Sequence, residues 1–225
     1  MTAAGASSPR GRVRRLPERA AYDADTIAEI LDAGLVAHLG FVVDGQPYVI
    51  PTLHARVGDA VYVHGAAAGR AVRTLAAGSP ACLTVSLLDG IVLARSAFHH
   101  SINYRSVMVL GRAVAVRAPA EKLIALEAFT ERLMPGRWAE VRPPDSRDLR
   151  TTAVLRFDLG EASAKLRTGG PVDDESDMGS AAWAGVLPVR MTGGPLQPAR
   201  DLDPGIAPSP AVLALLERFD PGSRA

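Results

Sequence analysis

The sequence predicts a mainly β protein, an antiparallel β-barrel with flanking helices. Short apolar, β-branched runs separated by tight turns recur from residue 35 onward. The first of these runs are divided at Asp44-Gly45 and Gly58-Asp59, and Asp-Gly between β-branched runs is a strong hairpin signal. No Gly-rich strand-to-helix turn opens a series of β-α-β units, so a doubly wound dinucleotide-binding sheet is excluded. Six to eight such strands with few helices close most economically as a barrel.

Taken in order, YDADTIAEILDAG reads as a short helix. Asp23 or Asp25 can cap it, Ile27, Ile30 and Leu31 share a face, and Gly34 stops it. LVAHLGFVV, QPYVIPTLHARV and AVYVHG are strands of a meander. GRAVRTLAAG is a short helix bounded by Gly69 and Gly78. ACLTVSLL, GIVLARSAF and YRSVMVLGRAVAV are three further strands. APAEKLIALEAFTERLM is the clearest helix, with Pro119 in its first turn and Leu123, Leu126, Phe129, Thr130 and Leu133 at helical spacing. PGRWAEVRPPDSRDLRTTA is a loop with room for one helical turn. VLRFDL and SAKLRT are late strands, GGPVDDESDMGSA is an acidic loop, and WAGVLPVRM follows. PAVLALLERF can form a terminal helix. The expected organisation is a flexible basic arm over 1–19, one barrel domain over 20–190, and a Pro/Gly-rich extension over 191–225.

Composition narrows the function. A formal net charge of +1 gives no pull toward nucleic acid or an anionic membrane. No apolar run approaches the roughly 20 residues that span a bilayer. A single cysteine, Cys82, excludes an internal disulfide and favours a cytoplasmic setting. The N-terminus has arginines but no apolar segment after them, so it does not read as a signal peptide. Its cluster of Arg10, Arg12, Arg14, Arg15 and Arg19 is either a solvated tail or a contact for a phosphate-bearing partner.

Four stretches could carry chemistry. VYVHGAAAGRAVRTL runs from strand to helix through small residues. Free backbone N–H groups at such a turn, with Arg70 as a bidentate donor, suit an anion; an ordinary turn with a surface arginine fits equally. LARSAFHHSINYRSVMVLGRAVAV sets His99, His100, Ser101, Asn103, Tyr104, Arg105 and Ser106 between apolar runs. Adjacent histidines cannot point the same way in an extended chain, so no metal site is expected there. No G-x-S-x-G elbow accompanies the serines, which excludes that route to a nucleophile. A polar ligand-binding strand end and a network that satisfies a turn both remain. In QPYVIPTLHAR, Pro47 and Pro51 mark an edge or irregular strand, with His54 and Arg56 on one face and Leu53 and Ala55 on the other. Such a strand can leave backbone groups free for a planar heterocycle, or can simply be solvated. In the last stretch Lys165 and Arg167 share a strand face, Trp183 covers a pocket or anchors a strand, and the acidic loop lacks the glycine and terminal glutamate of an EF-hand.

Together RLPERAAYD, HLGFVVDGQPYVIPTLHARVGDAVYVHGAAAGR, LARSAFHHSINYRSVMVLGRA, PGRWAEVRPP, SAKLRTGGPVDDESD and WAGVLP, in this order from about Arg15 to Pro188, resemble the pyridoxamine 5'-phosphate oxidase-like FMN-binding split-barrel family. The branch they resemble holds flavin-nucleotide-binding proteins and nitroimidazole-resistance reductases. The resemblance implies an FMN-binding oxidoreductase that acts on a small organic molecule by electron or hydride transfer, as a homodimer with the flavin at the subunit interface. It places the flavin phosphate on His64, Gly65 and Arg70, and the ring along the strand of Thr52, His54 and Arg56. Asn103, Arg105 and Ser106 lie beside it, Trp183 reaches in from the other subunit, and His99 and His100 are candidates for the substrate pocket. Related split barrels imply two alternatives, haem with His99 or His100 as axial ligand, or a deazaflavin; a non-catalytic flavin-binding module is a third. Gly69-Arg70 stands where the pyridoxal-phosphate-forming oxidases carry consecutive basic residues, and their C-terminal arginine pattern is missing, so that particular activity is not expected.

Overall fold

Asp44 and Gly45 both take positive φ, 49° and 80°. That is the conformation of a two-residue hairpin turn whose twist matches its strands. It joins β2 (Val36–Val43) to β3 (Gln46–Val57), with Val43 opposite Gln46 and Val36 opposite Leu53. The computed structural model describes residues 6 and 8–220; the outermost parts of the predicted arm and extension lie outside the described residues.

In chain order the other elements are β1 (Ala20–Ala21), α1 (Ala24–Ala33), β4 (Ala60–Ala66), α2 (Arg70–Ala76), β5 (Pro80–Leu93), β6 (Ser101–Arg112), β7 (Val114–Ala115), α3 (Pro119–Leu133), α4 (Ser146–Thr151), β8 (Thr152–Asp158), β9 (Ala162–Arg167), β10 (Gly185–Pro188) and α5 (Pro210–Arg218). All strand pairs are antiparallel, in the order β1-β9-β6-β5-β2-β3-β4-β8-β7, with β10 also on β5. Two strands expected separately, ACLTVSLL and GIVLARSAF, are one strand, β5. Its register against β6 shifts between Leu88 and Gly90, so the Asp-Gly pair that reads as a turn is a bulge inside the ladder.

The sheet curls on itself. Val107 and Val109 of β6 share one buried cluster with Leu155 and Phe157 of β8 and with Leu39, Phe41, Val61 and Leu83. Ile27, Ile30 and Leu31 of α1 and Leu75 of α2 close this interior. Alternation sends Ala55 and Tyr62 to the other side of the sheet. There Ala125 and Phe129 of α3 cover them. The carbonyls at the end of α1 are capped from two directions: His54 and Arg132 both bond Leu31 O, and Arg132 also bonds Gly34 O.

The prolines of β3 sit as their chemistry requires. β4 pairs only with His54–Val57, so 46–53 has a free edge on that side, and Pro47 and Pro51 lie within it. The expected flexible arm is instead laid along the sheet from Ser8 onward. Arg10 pairs with Glu161, Val13 N donates to the Tyr22 hydroxyl at 2.9 Å, and Lys165 donates to Arg15 O at 2.9 Å. The chain after Pro188 returns to α3, where Arg218 donates to Arg132 O at 2.8 Å. No helix among the described residues is long and apolar enough to cross a membrane.

Candidate functional site

The turn between β4 and α2 is tight enough to require glycine at two positions. A Cβ on Gly65 would lie 3.1 Å from Val72, and one on Gly69 only 2.9 Å from Ala66 O. Gly69 N bonds that same carbonyl at 2.8 Å, and Ala67 N bonds Thr151 O at 2.9 Å, so the turn is fixed against the end of α4. No side chain caps the start of α2. Arg70 lies flat on the Tyr48 ring, 4.2 Å from its centroid, and its Nη1 donates to the Tyr48 hydroxyl at 3.4 Å. Among the described residues Arg70 makes no ion pair, so its charge is free for a ligand. Tyr48 was not foreseen; the signal was its place opposite Phe41 in the hairpin, on which it stacks.

His64 closes the other side of the turn. Its ring meets Phe129 edge-on at 4.5 Å, and its Nδ1 is buried with no hydrogen-bond partner. Burial holds its pKa below the ordinary histidine value, so the ring is neutral. His64 and Arg70 thus flank one turn but face different partners, His64 toward Phe129 of α3 and Arg70 toward Tyr48 of β3.

The strand residues expected beside a flavin ring look elsewhere. Thr52, His54 and Arg56 alternate onto the inner side of the sheet. His54 is 1% exposed and bonds Leu31 O at 3.0 Å, which leaves it no path to a ligand. Arg56 pairs with Asp32, and the Thr52 hydroxyl bonds Leu53 O at 3.1 Å. Arg105 is also engaged. Its guanidinium holds Asp89 at 2.8 and 3.0 Å and Glu29 at 3.6 Å, because the bulge turns Asp89 toward it. What β3 does offer a heterocycle is its free backbone edge.

Ser106 keeps an outward position, half-buried, its hydroxyl donating to Lys165 O at 3.2 Å. Asn103 is 9% exposed and bonds Arg167 and Gly169 O. Eight residues of β6 separate Asn103 from Gly111, whose register across β5 and β2 reaches Tyr48, so this end of the sheet lies roughly 25 Å from Arg70. One chain does not bring the two groups together. His99 Nε2 lies 3.3 Å from Asp174, with Asp177 close by; Asp174 is 71% exposed and this cluster is solvated. His100 Nδ1 donates to Ser96 O at 2.8 Å. Trp183 is 70% exposed and lies over Gly185, where a Cβ would fall 2.6 Å from the indole.

A family model described as pyridoxamine 5'-phosphate oxidase matches residues 23–166. The flavocytochrome Anf3 from Azotobacter vinelandii superposes with a TM-score of 0.89 at 43% identity, over 94% of this chain and 98% of that one. The FAD and haem binding protein from Mycobacterium smegmatis gives 0.84 at 34% identity, over 88% and 97%. A candidate 5-nitroimidazole antibiotic resistance protein from Bacteroides thetaiotaomicron gives 0.54 at 22% identity, over 64% and 83%, and shows the fold alone. No match was found among curated proteins.

The buried His54 makes a pH prediction. Loss of hydration, reinforced by the Arg132 charge, lowers its pKa from 6.5 to about 4. Above pH 6.5 the ring is neutral folded or unfolded. Below that, down to about 4, the unfolded chain takes up a proton that the folded one refuses. His54 should therefore subtract up to about 1.4 kcal/mol of stability per pH unit across this window. The difference between wild type and His54→Gln in unfolding free energy against pH checks the slope, and ring resonances titrating near the ordinary histidine value would refute it.

Proposed function

The chain belongs to the pyridoxamine 5'-phosphate oxidase family, and from that premise we propose that it is a flavin-binding redox protein. It holds the flavin mononucleotide moiety, alone as FMN or within FAD, and exchanges electrons or hydride with a small organic molecule in the cytoplasm. The observation that carries this reading is the turn from His64 to Arg70, where a guanidinium without an ion pair among the described residues is oriented on Tyr48 at the uncapped start of α2. This donor set fits a phosphate monoester. Arg70 supplies two parallel donors to such a group. The free edge of β3 over 46–53 offers backbone groups to a planar ring, and the Ser106 hydroxyl is available on the outer face. A bound flavin would supply the electron chemistry; the protein's share is position and polarity.

A homodimer completes this reading. Val36, Val42, Val49, Leu88, Ile91 and Leu187 lie on the outer face of β2, β3, β5 and β10, each 41–67% exposed. A second copy would cover such an apolar face. It would also bring one protomer's exposed Trp183 and outer strand ends toward its partner's phosphate turn.

Haem is a second reading, favoured by what the two relatives above 30% identity are: a flavocytochrome and an FAD and haem binding protein. His100 is the histidine whose chemistry fits an axial ligand. Its Nδ1–H bond to Ser96 O fixes the tautomer that leaves a lone pair on Nε2, on an exposed ring. His99 shares its Nε2 with Asp174, and His54 is enclosed.

The absorption spectrum of the purified protein, with mass analysis of the released cofactor, tests the whole reading. Flavin bands and FMN or FAD are expected; a colourless protein that takes up neither on titration would sink it. Arg70→Ala should weaken FMN binding by about 1.5–3 kcal/mol, as measured by fluorescence titration. On haem titration, His100→Ala should lose or shift the Soret band and His99→Ala should not; equal spectra for both variants would remove His100 as ligand. Light scattering should find a dimer that Val49→Asp converts to monomer.

A further inference from the structure

Arg167 has been taken out of water without a counter-charge. It is 7% exposed, and its donors go to neutral oxygens: the Asn103 amide, Gly169 O at 3.4 Å and Gly170 O at 3.0 Å. Four other arginines withdrawn from solvent meet a carboxylate. Arg95 holds Asp173 at 2.7 Å, Arg105 holds Asp89, Arg56 holds Asp32, and Arg132 lies 3.7 Å from Asp32. Among the described residues Arg167 has none. A second cation, Arg19, stands next to it, also without an ion pair, and together with burial it makes the charge on Arg167 harder to hold. Both arginines line one open cavity of about 390 Å³, together with Thr168, Gly170 and Glu18. Glu18 is exposed on that rim and pairs with neither.

An uncompensated buried charge costs several kcal/mol, and a fold retains one where something else completes it. We propose that the cavity between Arg19 and Arg167 is a binding site for a phosphate or carboxylate group, separate from the Arg70 turn and independent of the flavin reading. Two arginines on one pocket can meet the oxygens of such an anion, Arg19 with its whole guanidinium and Arg167 with the N–H groups not spent on Asn103, Gly169 and Gly170. Asn103 is then a positioning residue. Its amide oxygen fixes one end of the Arg167 fork, and its amide nitrogen, bonded to Gly169 O at 3.1 Å, ties the following loop to the same cluster. Asparagine suits this place because aspartate would supply the counter-charge from within and close the site to an external anion. The anion has two possible sources, a phosphate of a dinucleotide flavin or a free anionic substrate, and the two differ in what happens to flavin affinity.

The test is calorimetric titration of the full-length protein with inorganic pyrophosphate at low ionic strength. Wild type should bind saturably. Arg19→Gln, which alters a half-buried rim residue, should weaken binding tenfold or more, while Arg147→Gln on exposed α4 should not. With the phosphate turn removed by Arg70→Ala, adding Asn103→Asp should abolish the remaining binding and leave the melting temperature unchanged or raised, a combination that mere disruption of the fold would not give. If the two site variants also lose affinity for FAD but not for FMN, the anion is a phosphate of a dinucleotide held between this site and a partner protomer's Arg70 turn, since adjacent phosphates cannot span the roughly 25 Å between the two within one chain; if both flavin affinities are kept, it is a separate ligand. Absent pyrophosphate binding in wild type, or binding unchanged in both Arg19→Gln and Asn103→Asp, overturns the proposal.

Discussion

The apolar interior from Phe41 to Phe157 admits a charged group only where another element brings the opposite charge or a set of dipoles to meet it. Arginine is the dominant base in this chain, and strand alternation sends several arginines toward the core. Each forces a tertiary contact. Arg56 on β3 meets Asp32 at the end of α1. Arg105 on β6 meets Asp89, which the β5 bulge has turned out of its ladder, and Glu29 on α1. Arg132 on α3 reaches the terminal carbonyls of α1, where His54 from β3 meets it. Helix α1 is thus held from three directions by groups that could not otherwise stay dry. The bulge itself follows from the same demand, since without it Asp89 would stay in the strand ladder.

That demand also separates structural polar groups from those available to a ligand. His54, Arg56 and Arg105 look chemically ready in sequence, yet their donors are spent inside the protein. Arg70 is different because its neighbour is the face of Tyr48, which orients the guanidinium without neutralising it. Arg167 is different because amide and carbonyl dipoles hold it in place and leave its charge unanswered. Both stand at ends of the sheet, where inner and outer faces meet.

Much of the fold was legible because it rests on local rules. The two positive-φ residues at Asp44-Gly45, the caps of α1 and the spacing of α3 are written within a few residues of where they act. The bulge was not legible. Asp89-Gly90 has the composition of a turn, and only the register between β5 and β6 makes it continuous strand. At the candidate site, the His64–Arg70 turn could be read because it is one contiguous segment. The fate of His54 and Arg105 could not, because it is set by Leu31 and Asp89, residues 23 and 16 positions away. Alternation showed correctly that His54 and Arg56 share a face; it carries no information about whether that face is the inside. The role of Arg167 was hidden for the same reason, since its partner Asn103 lies 64 residues earlier.

The separation of the two ligand-ready ends has a consequence for assembly. Roughly 25 Å of β6 lies between the Asn103 end and the level of Arg70, and β6 is a single uninterrupted strand over that span. No hinge within one chain shortens it. A small molecule touching both ends must therefore either extend along the sheet or meet the second end on another protomer. The exposed valines and leucines between the ends suit the proposed homodimer, in which the two ends would come from different protomers. On this view the paired arginines at Arg19 and Arg167 belong to whatever reaches across the interface, and the unpaired Arg70 to whatever is anchored on one side of it. The distribution of unmatched charge then follows the symmetry of the assembly rather than the topology of the single chain.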